Sequence, residues 1–99
     1  MSDRYPAHDP RTAWRVYDGQ AVLVSPHDST LHTLNEVGTV IWAAADGRTS
    51  ARAIAARVSE RFDVDAVTAE RDTVMFIDEL ERRGLLAVRD APAPQEGVA

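Results

Sequence analysis

The first third of the chain alternates in the manner of β-strands. Two short stretches rich in β-branched and aromatic residues, AWRVY and QAVLVS, flank Asp18-Gly19, a dipeptide typical of a two-residue type I′ turn. A hairpin closed by this turn pairs Trp14 with Leu23 and Val16 with Ala21. Because these four side chains share one face of the hairpin, we expect that face to be buried.

The patterning changes from strand-like to helical near residue 34. The segment from Thr30 to Leu34 is short, polar and β-branched, and predicts a third strand. Asn35 can then cap a helix through its side-chain oxygen, and Asp46-Gly47 can end it. The apolar face of this helix consists of Val37, Val40, Ile41 and Ala44. Trp42 flanks this face, and we expect it to be largely buried against the strands.

A second helix is predicted after this stop. It begins after Thr49 or Ser50, either of which can cap it, and runs to about Arg61. Its predicted apolar face consists of Ala53, Ile54 and Val58.

The third predicted helix is the longest and runs from Ala66 to Arg83, with Asp65 as its N-cap. Gly84 fits the position after its last turn, and Leu85 can pack back on the helix in a Schellman motif. The predicted inward stripe consists of Val67, Val74, Ile77 and Leu80, and Phe76 widens it. The segment from Leu85 to Val88 is either a terminal strand or a cover for the core.

The order β-β-β-α-α-α predicts a winged-helix-like α+β domain, with a three-stranded antiparallel sheet followed by three helices. We assign this domain to residues 13–88. Residues 1–12 carry two prolines and few apolar groups, and residues 89–99 alternate Ala and Pro, so both are predicted to be flexible tails.

Composition excludes several classes of function. The chain has no cysteine, which excludes disulfides, thiol catalysis and cysteine-ligated zinc. Its formal net charge is −5, with sixteen acidic residues against eleven basic ones, which counts against nucleic acid as a partner. No apolar run is long enough to span a membrane and no secretory signal is present, so we expect a cytoplasmic protein without membrane contact.

The residues offer no motif of an active site. His8, His27 and His32 lack the spacings that put two metal ligands on one helix face. The glycines and serines form neither a phosphate-binding loop nor a nucleophile motif. The acids between residues 78 and 81 are interpreted as surface partners of neighbouring arginines. We therefore predict no enzyme, no catalytic residue, no metal and no cofactor.

Two alternatives to an enzyme follow from the fold and the charges. A winged helix can bind DNA through its third helix, but residues 63–83 carry seven acids against three arginines, which phosphates would repel. An accessory subunit can instead contact a protein partner through the second helix. The charges on and just before that helix are Arg48, Arg52, Arg57 and Arg61 against Glu60.

An ordered set of residues from Leu34 onward resembles the PqqD-like family. The matching positions are Leu34-Asn35, Ile41-Trp42, Asp46-Gly47, Thr49, Ile54, Phe62-Asp63-Val64, Asp72, Phe76, Leu80 and Gly84-Leu85-Leu86. The segment SPHDST departs from that family's more usual Tyr-Pro-Glu-Gly-like turn. The resemblance implies a recognition element that binds the leader segment of a ribosomally made precursor peptide. The leader would add as a strand to the third β-strand, beside the third helix, and would be presented to a modifying enzyme such as a radical S-adenosylmethionine maturase.

An exposed strand edge suits such a role, because its unpaired backbone groups can pair with a peptide of almost any sequence. The residues predicted to bind the leader are Thr30, Leu31, His32 and Thr33 on the strand and Arg71, Val74, Met75 and Asp78 on the third helix. Arg71 and Asp78 would hold leader charges, and Val74 and Met75 would accept its apolar side chains. Met75 is equally well interpreted as a residue at the periphery of the core.

Overall fold

The computed structural model describes residues 3–93. Its elements in chain order are β1 (Tyr5–His8), β2 (Ala13–Tyr17), β3 (Gln20–Val24), β4 (Leu31–Thr33), α1 (Glu36–Ala44), α2 (Ala51–Phe62), α3 (Ala66–Arg82) and β5 (Leu86–Arg89). The prediction of an α+β fold with a three-stranded antiparallel sheet and three helices is confirmed, the sheet having the order β2-β3-β4. A second, two-stranded sheet of β1 and β5 was not predicted.

The β2–β3 hairpin has the predicted register, with Trp14 opposite Leu23 and Val16 opposite Ala21. Its turn residues Asp18 and Gly19 both have positive φ, 52° and 78°, as a type I′ turn requires. The predicted burial of the shared face is only half right. Ala21 and Leu23 are fully buried, whereas Trp14 is 38% exposed and Val16 48% exposed. Helix α1 packs against β3 and leaves the outer strand β2 partly uncovered.

Helix α1 is capped as predicted, because the Asn35 side chain accepts from the N–H of Gly38 at 2.8 Å. Trp42 is completely buried, as predicted, and Ile41 beside it is 1% exposed. The helix ends at Ala44, earlier than the predicted stop at Asp46-Gly47. The chain has already turned away there, since Asp46 forms a β-bridge with Ala7 in β1.

Strand β1 corrects the prediction of a flexible N-terminal tail. Tyr5–His8 pairs antiparallel with Leu86–Arg89, and Pro6 is buried. The other side of β1 is also bonded: the N–H of Gly47 donates to the carbonyl of Pro6 at 2.8 Å. The alternative of a terminal strand after α3 is the correct one. The parts of the predicted tails at residues 1–2 and 94–99 lie outside the described residues.

Helix α2 is capped by Ser50, whose hydroxyl accepts from the N–H of Ala53 at 3.1 Å. The predicted positions Ile54 and Val58 are buried. Ala53 is exposed, and the buried small residues of this helix are Ala51 and Ala55.

The two ends of α3 follow the sequence prediction. The side chain of Asp65 accepts from the N–H of Thr68 at 2.9 Å. At the other end, Leu85 N–H donates to Leu80 O and Gly84 N–H to Glu81 O, both at 3.0 Å. With Gly84 at a φ of +76°, these two bonds form the predicted Schellman motif.

The inward face of α3 differs from the prediction. The buried residues of this helix are Ala69, Thr73, Ile77 and Leu80. Val67 was predicted to point inward but is 78% exposed, and Val74 is half-buried. The buried stripe is therefore turned by roughly 60° about the helix axis from the predicted one. The main neighbour of α3 is α2.

Candidate functional site

Strand β4 is the outer strand of the three-stranded sheet. One side of it pairs with β3, in a register that sets Thr33 opposite Val22 and Leu31 opposite Val24. No strand among residues 3–93 pairs with its other side. The sheet therefore ends in an open edge at Leu31–Thr33, as the sequence predicted.

The hydrogen bonds to β3 fix which backbone groups of β4 point to this open edge. Ser25 N–H donates to Thr30 O at 2.9 Å, and Leu34 N–H donates to Ala21 O at 2.8 Å. In an antiparallel ladder, hydrogen-bonded pairs recur at every second residue. His32 therefore directs its N–H and C=O at β3, and the backbone groups of Leu31 and Thr33 face outward.

Thr30 differs from the other three predicted edge residues. Its carbonyl accepts from Ser25, and its N–H donates to the Asp28 carboxylate at 3.0 Å. These bonds from the Thr30 side chain and backbone hold the pKa of Asp28 below its ordinary value. The backbone groups of Thr30 are therefore used within the turn that precedes β4.

The same turn is attached to the end of α3. The His27 ring donates through Nε2 to the carbonyl of Gly84 at 3.2 Å, and the same nitrogen lies 4.0 Å from a carboxylate oxygen of Asp9. These contacts fix the start of β4 relative to the C-terminal end of α3.

A groove of about 430 Å³ runs beside β4 between the sheet edge, α1 and α3. Its lining residues are Thr33, Leu34, Asn35, Val37, Gly38, Ile41, Asp72 and Phe76. Apolar side chains and one carboxylate thus lie next to the outward-facing backbone of Thr33. We call this site the β4 groove.

Gly38 sets the depth of the β4 groove. A Cβ atom on Gly38 would lie 2.8 Å from Cζ of Phe76 and 3.3 Å from the capping oxygen of Asn35. Distances this short are repulsive, so only glycine lets the Phe76 ring lie against α1. The ring is partly buried against the core and forms the apolar floor on the α3 side.

The four residues predicted on α3 do not lie in the β4 groove. Arg71, Val74 and Met75 line a separate depression of about 420 Å³ on α3, together with Val67 and Glu70. Met75 is 63% exposed. Asp78 forms an ion pair with Arg4, with 3.2 Å between Nη1 and Oδ1. Arg71, Val74 and Met75 therefore lie together, but in a depression next to the β4 groove and not in it.

Asp72 and Phe76 are the α3 residues that sequence reasoning left out of the site. They are four residues apart and so lie one above the other on the helix. Both were among the residues that carried the family resemblance, and that signal marks them. Because the inward stripe of α3 was predicted incorrectly, the leader-binding residues were predicted on the neighbouring face of the helix.

The described part of the chain contains no group of three or more His, Asp or Glu residues placed to hold a metal ion. None of the helices between residues 3 and 93 combines the length and apolar composition needed to cross a membrane. The β4 groove itself offers backbone hydrogen bonds, apolar contacts and one carboxylate for binding.

Two solved structures resemble this chain. One is TbiB1 in complex with the TbiA(beta) leader peptide: it is 25% identical, the match covers 81% of this chain and 93% of that chain, and the TM-score is 0.74. The other is lasso peptide synthetase B1 complexed with the leader peptide, with 20% identity, coverage of 84% and 98%, and a TM-score of 0.71. At 20% identity, the second match concerns the fold alone.

Among curated proteins, none matches the chain. The model of one family, described as coenzyme PQQ synthesis protein D (PqqD), matches residues 20–86. This match runs from the first residue of β3 to the first residue of β5 and includes both walls of the β4 groove. Since it spans well over half of the sequence, the chain belongs to the PqqD family.

Proposed function

We propose that this protein binds the leader segment of a ribosomally synthesised precursor peptide and presents it to a modifying enzyme. The observation that carries the proposal is the open edge of β4, where the backbone groups of Leu31 and Thr33 face outward beside the β4 groove. An extended peptide gains main-chain hydrogen bonds at such an edge and places alternate side chains in the adjoining groove.

The comparisons support a leader peptide as the ligand. TbiB1, which is similar to this chain over most of its length, was solved with a leader peptide bound. Lasso peptide synthetase B1, at 20% identity, supports the fold only. We therefore infer that the peptide at β4 is a leader.

The β4 groove suits an apolar side chain of that leader. Phe76 and Ile41 provide apolar surface, and Asp72 at the rim can pair with a basic residue of the peptide. The predicted contacts at Arg71, Val74, Met75 and Asp78 remain a separate proposal, because these residues lie on another face of α3. The two faces can be distinguished by experiment.

We infer binding without catalysis, since the site residues form no nucleophile–base pair and the chemistry is assigned to the partner enzyme. A radical S-adenosylmethionine maturase is the partner that the family resemblance implies, and it remains a prediction, as does a cytoplasmic location. DNA binding is not favoured, because α3 and its flanking residues carry a net negative charge.

The proposal is tested by titrating a fluorescein-labelled leader peptide, taken from a precursor encoded beside this chain, while its anisotropy is recorded. Thr33→Pro deletes an outward N–H without breaking a bond to β3, and proline is tolerated at sheet edges. Thr33→Ala keeps the N–H and is the matched control. We expect Thr33→Pro to weaken binding roughly fivefold or more, the equivalent of one lost hydrogen bond, and Thr33→Ala to bind like the parent. Equal binding by the folded Thr33→Pro variant would contradict strand addition at β4.

A second pair of variants identifies the face of α3 that contacts the leader. Asp72→Arg places a long side chain in the β4 groove, and Met75→Arg places the same side chain on the outer face. We expect Asp72→Arg to weaken binding roughly tenfold or more and Met75→Arg to change it less than about twofold. The reverse result would assign the leader to the face predicted from sequence.

A further inference from the structure

A second groove lies on a different face of α1. Two adjoining depressions, of about 590 and 400 Å³, share Val40, Ala43 and Arg61. The larger one lies between α1 and α2. The smaller one extends it to the β2–β3 hairpin at Val16 and to Phe62 at the end of α2. We call the combined site the α1–α2 groove.

The floor of the α1–α2 groove is apolar and accessible. Val16 is 48% exposed, Ala43 is exposed, and Val40 and Phe62 are half-buried. These side chains come from three elements that meet only in the folded protein. An apolar side chain of a partner that enters here removes apolar surface of these residues from water.

Two arginines stand on the α2 side of this floor. Arg57 and Arg61 are four residues apart, so their side chains project from the same face of α2. Both are exposed, and no carboxylate of residues 3–93 lies within 4.0 Å of either guanidinium. Glu60 lines the same depression but is not paired with either arginine. Like charges at this spacing repel each other, and carboxylates from a partner would relieve this repulsion.

We propose that the α1–α2 groove docks a segment of the modifying enzyme that inserts an apolar side chain and presents two carboxylates to Arg57 and Arg61. This inference rests on the proposed function, because a protein that presents a bound leader must contact the enzyme through a surface other than the leader site. The two grooves share no lining residue. Occupation of one groove therefore leaves the lining residues of the other available.

The acids around the groove favour a peptide segment over a polyanion. Asp18, Glu36 and Glu60 line the same site. They repel an evenly charged phosphate backbone, but they tolerate two discrete carboxylates placed against the arginines. Nucleic acid binding is therefore an outcome that would contradict the proposal.

The test uses a displayed library of random peptides of about twelve residues, selected on the immobilised protein. Each enriched peptide is then titrated against three proteins: the parent, Arg57→Glu/Arg61→Glu, and Arg48→Glu/Arg52→Glu. The last is the matched control, because it makes the same change in net charge with exposed residues that line neither depression.

We expect one class of peptides to carry two acids within a helical turn of a large apolar residue. Its affinity should fall roughly tenfold or more for Arg57→Glu/Arg61→Glu and change less than about twofold for the control. Replacing its two acids by lysine should restore binding to the reversed variant. If no enriched class responds to the reversal, or if the responding class lacks acids, the proposal is overturned. The proposal is also overturned if no such peptide class is found, and the parent and the control bind a double-stranded DNA oligonucleotide that the reversed variant does not bind.

The outcome is separable from that of the proposed function. Arg57→Glu/Arg61→Glu should bind the labelled leader like the parent, since both arginines lie outside the β4 groove. If the parent does not bind the leader, the proposed function fails, whatever the library gives. If the leader binds and no acidic class is found, only the docking surface fails.

Discussion

Replacement of Trp42 is the most severe single test of how α1 is joined to the two sheets. Trp42 is 0% exposed. Its ring stacks on His8 of β1, with 3.8 Å between centroids and an angle of 8°, and it meets Trp14 of β2 edge to face at 5.9 Å. The side chain thus connects α1 to both sheets.

The expected magnitude follows from this burial. An aromatic side chain of this kind buries about 200 Å², which at about 25 cal/mol per Å² corresponds to about 5 kcal/mol as an upper estimate. Trp42→Ala should therefore lower the free energy of unfolding by about 3–5 kcal/mol, as large aromatic truncations in cores do. This is a large part of the total stability of about 5–15 kcal/mol that is usual for small domains.

Trp42→Phe is the matched control for this prediction. The buried Nε1 of Trp42 finds no hydrogen-bond acceptor among the described residues. Phenylalanine keeps the ring contacts and removes this unpaired donor, so it should cost less than half as much as alanine. Urea titration followed by far-UV circular dichroism measures both variants without relying on tryptophan fluorescence. A loss below about 1 kcal/mol for Trp42→Ala would refute the assigned burial.

Three further predictions concern stability. Deleting residues 1–8 should lower the free energy of unfolding by more than about 2 kcal/mol, because it removes the strand that pairs with β5. Deleting residues 1–3 is the control and should not lower it. Equal midpoints of urea unfolding for the two variants would contradict the pairing of β1 with β5. Burial lowers the pKa of His8 below its ordinary 6.5, against the opposing effect of its bond to the Trp42 carbonyl, so the unfolded chain binds the proton more readily. Stability should be full above about pH 6.5 and fall as the pH drops below it, and His8→Gln titrated in urea at pH 7.5 and 5.5 should remove this loss; an unchanged loss would exclude His8 as its source. Gly84→Ala should cost about 1–2 kcal/mol, because the residue has a φ of +76° and its Cβ would lie 2.8 Å from Nε2 of His27; a melting temperature equal to that of the parent would contradict this.

Local signals made much of the fold predictable. The hairpin register follows from Asp18-Gly19 alone, because a two-residue turn fixes which residues face each other. The caps at Asn35 and Asp65 and the stop at Gly84 are equally local, since each depends on one side chain and the next few backbone groups. These features were predicted correctly because they do not depend on contacts with distant segments.

The parts that were missed depend on distant contacts. Strand β1 is held by β5, about eighty residues later in the chain, and nothing in YPAH itself indicates a strand. The predicted orientation of α3 was wrong because the sequence prediction placed Val67, and not Ala69, on the inward face. Hydrophobicity ranks valine above alanine, but the fold buries Ala69 and exposes Val67, as close packing allows for a small side chain.

The candidate site shows the same division. The open edge at β4 was predictable from its polar, β-branched sequence and its position before the first helix. The α3 side of the groove was not predictable, since the orientation of the helix decides which of its residues lie beside β4. Asp72 and Phe76 consequently replace the predicted residues as the α3 side of the β4 groove.

The central claim is that a leader pairs with the outward backbone of β4, and amide hydrogen exchange measured by NMR tests it directly. The amides of Leu31 and Thr33 face the open edge, whereas the amide of His32 is directed at β3. With saturating leader peptide, exchange at Leu31 and Thr33 should slow roughly tenfold or more, as one added hydrogen bond predicts, while His32 changes much less. Unchanged exchange at Leu31 and Thr33, while the same sample shows bound leader, would contradict strand addition at this edge.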